Sequence, residues 1–123
     1  GDMLEVYRQG FARRGLDFAI WGHISDGNVH PNVIPTSLAD VHAGHDALLE
    51  FGAAAARLGG CPLSEHGTGR HPIKQELLRQ LYEDEGIDAM RATKQAMDPA
   101  YQLAPGVIFP EPPESRKGST SVS

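Results

Sequence analysis

The stretch DFAIWGHISDGNVHPNVI (Asp17–Ile34) decides the fold class. Its two halves are rich in aromatic and β-branched residues, which is typical of strands, and they flank the tetrapeptide SDGN. An Asp-Gly pair between two such runs favours a tight turn, because glycine adopts positive φ and aspartate tolerates it. The sequence therefore predicts an antiparallel hairpin, in which Pro31 marks an edge or bulged segment of the second strand.

Helical periodicity flanks this hairpin on both sides. Leu4, Tyr7 and Phe11 recur at intervals of three and four residues, which predicts a helix over residues 3–14. Residues 37–58 predict a second helix, with a Ser or Thr available as its N-cap and strongly helix-forming alanines toward its end. Each helix is followed by glycine, which commonly ends helices.

A third strand and two more helices are predicted after the second helix. The run CPLSE (residues 61–65) indicates a short strand, and Pro72 fits the first turn of a helix. The acidic residues 83–85 lie near the N-terminus of a further helix, whose buried side is predicted to hold Ile87, Met90 and Met97. The element order predicts an α+β fold, with helices packed over a small antiparallel sheet.

Composition limits the classes of partner. The 123 residues are 40% hydrophobic and 22% charged, which is ordinary for one compact domain in a soluble protein. The net charge of −5 argues against a nucleic-acid partner, which normally requires clustered Lys and Arg. No apolar run approaches the roughly 18–20 residues that span a bilayer, and no signal-peptide core opens the chain. We expect a cytoplasmic protein without a transmembrane segment, or one peripheral to a membrane in its full-length form.

Cysteine and proline content adds two expectations. Cys61 is the single cysteine, so the chain has no internal disulfide and fits a reducing compartment. Its position before Pro62 predicts a small buried residue. After Phe109 the chain becomes Pro-rich and then Ser-rich, so we assign residues 1–110 to the domain and predict a flexible tail or linker at 111–123.

The length of the hairpin turn determines which residue faces each of two histidines. If Asp26 and Gly27 are the central residues of a two-residue turn, His23 faces His30. Directly opposed residues on antiparallel strands have Cβ atoms roughly 4.5–5.5 Å apart and point to the same side. The turn is then predicted to gather both imidazoles in one patch with Asn32 beside them, whereas a longer turn changes the pairing.

A third group for this patch is available in the loop SEHGTGRH. Glu65 and His66 are followed by two glycines that allow close approach of another chain or ligand. A carboxylate and an imidazole from this loop could complete a His-His-Glu metal set with an open position. Such a set suits Zn²⁺ first, and also Mn²⁺ or Fe²⁺.

Non-functional interpretations of these histidines stay open. His23 and His30 could equally be packed or surface residues of the strands. His42 and His45 could hold a metal with Asp46, although an exposed polar helix face explains them equally well. His71 precedes a helix and is interpreted as its first flanking residue.

Three motifs in order resemble the C-terminal domain of FAD-linked oxidases. They are GHISDGNVHPNV, GGCPLSEHGTGR and MRATKQAMDPAYQLAPGVIFP, and the resemblance covers Asp17–Pro110. This vanillyl-alcohol-oxidase-like group includes D-lactate dehydrogenase, the glycolate oxidase flavin subunit and D-2-hydroxyglutarate dehydrogenase. The resemblance implies part of a ferredoxin-like cap or substrate domain in a fragment of a larger flavoprotein.

The resemblance also implies roles for individual residues. In the pattern G-H-x-x-x-G-N-x-H and in E-H-G, the divalent metal ligands correspond to His23, His30 and Glu65. The second residue of E-H-G, His66, corresponds to the base that removes the hydroxyl proton, and Asn32 corresponds to a residue near the substrate. The resemblance further implies that hydride from the 2-carbon goes to N5 of FAD and that the metal polarises the substrate oxygens.

Departures from the resembled family are equally informative. Ser25 stands where the family usually has Gly, and LAPGV (residues 103–107) replaces a frequent N-P-G-K, with Ala104 and Val107 as the differences. The FAD-binding domain and the cap segment that supplies substrate-binding Arg and Lys residues are not recognisable. This chain alone is therefore expected to be inactive, and its tail could lead into an iron–sulfur domain or simply end.

The leading functional prediction is the substrate- and metal-binding fragment of an FAD-dependent enzyme that oxidises a D-2-hydroxyacid to the 2-oxoacid. Its expected partners are a small hydroxyacid and the FAD-binding domain of the same protein. One alternative is a non-catalytic homo-oligomeric α+β module in which the histidine patch is structural. Another is a stand-alone metallohydrolase, which is disfavoured because no further acid or base is clearly placed for it.

Overall fold

The computed structural model describes residues 2–63 and 65–110 as three helices and one antiparallel hairpin. This confirms the predicted α+β class, while the predicted tail at 111–123 lies outside the described residues. Within the described ranges, no helix combines the length and the apolar character needed to cross a bilayer. The elements are α1 (Asp2–Ala12), β1 (Phe18–His23), β2 (Asn28–Val33), α2 (Leu38–Arg57) and α3 (Pro72–Met97).

The predicted third strand is wrong wherever residues 61–65 are described. Residues 61–63 run from irregular backbone into a turn, and the sheet of the described chain consists of β1 and β2. Pro62 explains part of this, because proline lacks the N–H that a ladder requires. Cys61 is exposed, so the prediction of a buried cysteine is also wrong.

The hairpin forms as predicted, but its turn is longer than two residues. A 3₁₀ turn occupies Ile24–Asp26, and Gly27 takes the positive φ, at +68°. The longer connection pairs His23 with Asn28, and it pairs His30 with Trp21. The predicted direct opposition of His23 and His30 is therefore wrong, although strand alternation still assigns both residues to one face, two positions apart.

Aromatic side chains from α1, β1 and α2 form the core. Phe11 is fully buried, stacking on Phe18 with ring centroids 4.8 Å apart and meeting Phe51 edge-on at 4.9 Å. Tyr7 meets Phe51 from the other side at 5.0 Å. Gly10 permits this packing, since a Cβ there would lie 2.2 Å from a ring carbon of Phe51. The hairpin is thus held against the helices by one of its two faces.

The predicted helices are confirmed, with one interruption. Ser37 caps α2 in a reciprocal capping box with Asp40, and α3 begins at Pro72. Glu83 has non-helical backbone angles (φ 57°, ψ 178°), so α3 is kinked where the acidic run predicted a new helix. Ile87 is buried as predicted and Met90 is partly buried, but Met97 is 82% exposed, so its predicted burial is wrong.

The C-terminal segment (residues 98–109) folds back from the end of α3 through a polar anchor. The buried carboxylate of Asp98 accepts hydrogen bonds from the backbone N–H groups of Gln102 and Leu103 and from the ammonium of Lys94. The bond from Lys94 is the largest cause that holds the pKa of Asp98 below its ordinary value, and the backbone donors add to it. The segment is therefore tied to the last turn of α3.

A stabilising substitution follows from the backbone of this segment. Ala104 is exposed and has φ +44°, in the left-handed region that costs an L-residue other than Gly, Asn or Asp about 1–2 kcal/mol. Asparagine tolerates this region, and it is the residue of the resembled N-P-G-K pattern. We expect Ala104→Asn to raise the free energy of unfolding by about 1 kcal/mol, measured by thermal unfolding. Ala100→Asn, at an exposed residue without positive φ, is the control; an equal effect in both variants would contradict the prediction.

Candidate functional site

The candidate site lies on the face of the hairpin that points away from the core. Phe18, Ile20, Val29 and Val33 pack against the core cluster, so the alternate residues of β1 and β2 occupy the opposite face. Trp21 on this face is 58% exposed. The alternate residues of this outer face are His23, Asn28, His30 and Asn32, together with Ala19 and Trp21.

Two imidazoles converge on one carboxylate at this face. Nε2 of His66 lies 3.3 Å from Oε1 of Glu65, and Nε2 of His30 lies 3.7 Å from the same oxygen. The ring centroids of the two histidines are 5.9 Å apart. Ligand atoms of His30, Glu65 and His66 all lie within 4.8 Å of one another, and no other such trio of His, Cys, Asp or Glu occurs in the described ranges.

Asn28 orients the carboxylate of this trio. Its side-chain amide donates a hydrogen bond of 3.1 Å to Oε2 of Glu65, which leaves Oε1 directed at the two imidazoles. Sequence reasoning missed this role, because a two-residue turn pairs Asn28 with Ser25 and assigns it no function. The signal that could have found it is its position two residues before His30, on the same face of β2.

The remaining predicted residues lie near the trio without joining it. His23 is exposed at the end of β1, opposite Asn28, and it is outside the group of converging ligand atoms. Asn32 donates a hydrogen bond of 2.9 Å to the carbonyl of His30, so its side chain contacts the backbone of its own strand and not the trio. The structure thus brings three of the five predicted site residues together and leaves two on the same face.

The loop that carries Glu65 and His66 is held through its backbone carbonyls. We call residues 65–70 the site loop. Gly67 and Gly69 have φ of +68° and +58°, which other residues adopt at a cost, so both glycines are needed for its shape. Nζ of Lys74 donates to the carbonyl of Gly67 at 3.0 Å. The first turn of α3 is therefore hydrogen-bonded to the site loop.

A groove of about 800 Å³ runs from the outer face toward the helices. Its lining includes polar residues, among them His30, Asn32 and Glu65, and apolar side chains such as Phe51 and Leu77. A small polar molecule could therefore reach the trio from a partly apolar cleft, which is the usual character of ligand sites.

The alternative histidine set on α2 has no such geometry. His42, His45 and Asp46 are all exposed, and they form no converging ligand group among the described residues. His71 is the N-cap of α3 in extended conformation, which confirms its interpretation as the residue that precedes the helix.

Comparison with known proteins agrees with the motifs. The family model for FAD linked oxidases, C-terminal domain, matches residues 1–108. The chain is 33% identical over 110 residues to glycolate oxidase subunit GlcD of Bacillus subtilis, and 38% identical over 98 residues to D-2-hydroxyglutarate dehydrogenase of Xanthomonas citri. It is also 38% identical over 88 residues to an uncharacterised FAD-linked oxidoreductase of Mycobacterium tuberculosis.

These matches cover most of this chain but little of the relatives. They include 88%, 76% and 72% of the chain, and 23%, 20% and 18% of the three relatives in the same order. The chain therefore spans about a fifth of the length of the curated relatives it matches.

Proposed function

This chain belongs to the FAD-linked oxidase C-terminal domain family, and we propose that it binds metal and substrate in a flavoprotein that oxidises a D-2-hydroxyacid to the 2-oxoacid. The observation that carries the proposal is the convergence of His30, Glu65 and His66 beside an open groove. Two relatives support the substrate class, because glycolate and 2-hydroxyglutarate, after which they are named, are both 2-hydroxyacids.

The side chains of the outer face and the site loop together fit a divalent metal. Two imidazole nitrogens and one carboxylate oxygen form the donor set of many catalytic zinc sites, which keep a fourth position open for substrate. We propose His23, His30 and Glu65 as the ligands. His23 lies on the same face of the hairpin as His30, two residues beyond Trp21, which is the strand partner of His30. A bound cation would polarise the substrate hydroxyl and lower its pKa.

His66 is then the proton acceptor. An imidazole nitrogen that ligates a metal cannot also accept a proton, so the base must be a group other than the two ligating histidines. The side chain of His66 is 67% exposed and follows Glu65 directly in sequence, which suits a group that approaches the hydroxyl from the solvent side. Asn32 is proposed to contact the substrate from β2, within the groove that it helps to form.

The redox step requires a cofactor that the rest of the polypeptide would bind. As His66 takes the hydroxyl proton, the C2–H bond breaks and the C=O bond of the 2-oxoacid forms. FAD, held by another domain, would accept the hydride. The part of the work done by this chain is to bind, orient and deprotonate the alcohol.

The full-length polypeptide provides the test. We expect its flavin absorbance to bleach on anaerobic mixing with D-lactate, glycolate or D-2-hydroxyglutarate. Bleaching should stop after dialysis against a chelator and return with added Zn²⁺ or Mn²⁺. A purified full-length polypeptide without flavin, or a flavin that no 2-hydroxyacid reduces, would contradict the proposed reaction. Bleaching that persists after treatment with the chelator would contradict the proposed metal site.

A further prediction concerns the orientation of Glu65. Asn28→Ala removes the hydrogen bond to Oε2 and is expected to weaken Zn²⁺ binding by about 10-fold, within the range typical of groups that orient metal ligands. Asn32→Ala is the matched control, because its amide bonds the backbone of His30 and not Glu65. This control should raise KM for the hydroxyacid while leaving Zn²⁺ affinity close to wild type, and equal Zn²⁺ affinities in the two variants would contradict the role of Asn28.

A further inference from the structure

The site loop is bonded to the C-terminal segment through residues that lie more than thirty positions apart in sequence. The backbone N–H of Ile108 donates to the carbonyl of Gly69 at 2.8 Å. In the opposite direction, Nε of Arg70 donates to the carbonyl of Pro105 at 2.8 Å. The site loop and the C-terminal segment therefore donate one hydrogen bond to each other, at the end of the site loop away from Glu65 and His66.

Gln75 connects the same two segments from the first turns of α3. Its side-chain amide donates to the carbonyl of Gly106 at 2.8 Å and to the carbonyl of Gly69 at 3.3 Å. The side chain is partly buried between them. One amide group thus fixes the spacing between the site loop and the C-terminal segment.

The C-terminal segment is itself anchored at both ends. Asp98 and Lys94 hold its start, where Nζ of Lys94 also donates to the carbonyl of Leu103 at 2.7 Å. The guanidinium of Arg91 lies over the ring of Phe109, 5.4 Å from its centroid, at the other end. A segment fixed to α3 in this way can transmit the rigidity of the helix to the loop.

Ile108 shows that the contact is structurally constrained. Its φ is +67°, a conformation that is a clear outlier for a β-branched residue. Such angles persist only where surrounding contacts hold them. In this conformation the N–H of Ile108 donates to Gly69.

We propose that the C-terminal segment is a brace for the site loop, and that Gln75 is the positioning residue that couples them. The inference rests on the proposed function for its consequence at the metal: a loop with two glycines must be ordered before Glu65 can bind a cation, and a loop that is already ordered avoids that entropic cost. The brace thereby sets the metal affinity without contacting the metal.

The test compares two glutamines of α3 in the full-length polypeptide. Gln75→Met keeps the length and helix propensity of the side chain but removes its donor, and Gln80→Met makes the same change at an exposed residue of the same helix. Two quantities are to be measured: Zn²⁺ affinity, by competition with a chromophoric chelator, and the rate of amide hydrogen exchange over residues 65–70. Arg70→Met, with exposed Arg57→Met as its control, provides a second pair if Gln75→Met does not fold.

Gln75→Met is expected to weaken Zn²⁺ binding about tenfold and to accelerate exchange in the site loop, with Gln80→Met like wild type on both measurements. Equal behaviour of the two variants on both measurements would overturn the brace. If wild type binds no Zn²⁺ but Gln75→Met alone accelerates loop exchange, the proposed metal site fails and the brace is supported.

Discussion

Replacing His66 with glutamine is expected to slow the reduction of flavin by a 2-hydroxyacid by about 10²–10⁴-fold, which is the usual contribution of a positioned general base. Glutamine retains a polar side chain of similar reach but cannot accept a proton near neutral pH. Because His66 is proposed not to ligate the metal, the bound metal and its affinity should stay close to wild type. Stopped-flow bleaching of the flavin and metal analysis of the same preparation measure the two quantities.

His23→Gln is the matched control at the imidazole that is proposed to ligate the metal. As a proposed ligand, His23 should be needed for metal binding, so this variant is expected to lose metal and activity together, with activity partly restored by excess Zn²⁺. The opposite result would reassign the metal ligands. If His66→Gln loses the metal and His23→Gln keeps it, the ligands are the trio His30, Glu65 and His66, and the proposed base is wrong.

The separation of His23 from the converging trio is a consequence of turn length. The Asp-Gly signal correctly predicted a hairpin, and strand alternation correctly assigned His23 and His30 to one face. The number of residues in the turn is decided by the 3₁₀ conformation of Ile24–Asp26, for which the sequence has no strong local signal. A shift of two positions replaces the opposed histidines with the pairs His23–Asn28 and Trp21–His30.

Local patterns and long-range contacts also differ in how far they can be predicted. Periodicity and capping placed α1, α2 and the start of α3 to within about two residues, because these signals act within one or two turns. The run at residues 61–65 has no partner strand among the described residues, and it contains Pro62, so the strand prediction failed there. Side-chain bonds to backbone carbonyls, such as those of Gln75, have no periodic signature, which is why the brace was not predicted.

The anchor of the C-terminal segment gives the second large expected effect. Asp98 is buried, and its carboxylate accepts bonds from Lys94 and from the N–H groups of Gln102 and Leu103. Asp98→Asn replaces one accepting oxygen with a donor and leaves the Lys94 ammonium without its charged partner. We expect a large fall in Tm at pH 7 and faster amide exchange over residues 98–109. Asp84→Asn is the control, since Asp84 is exposed on α3 and pairs with Arg79 at 3.0 Å, away from the segment.

The pH dependence of Tm distinguishes the loss of the Asp98 charge from a disruption of packing by the asparagine side chain. Since the folded pKa of Asp98 is depressed, its contribution to stability is fully present above the unfolded pKa of about 3.9. That contribution is lost as the pH falls through the lower folded pKa, where wild type also carries a neutral side chain. The difference in Tm between wild type and Asp98→Asn should therefore be constant from pH 7 to about pH 5 and shrink at more acidic pH. A difference that persists undiminished in strong acid would show that the amide disrupts packing, and that the ion pair with Lys94 is not what holds the segment.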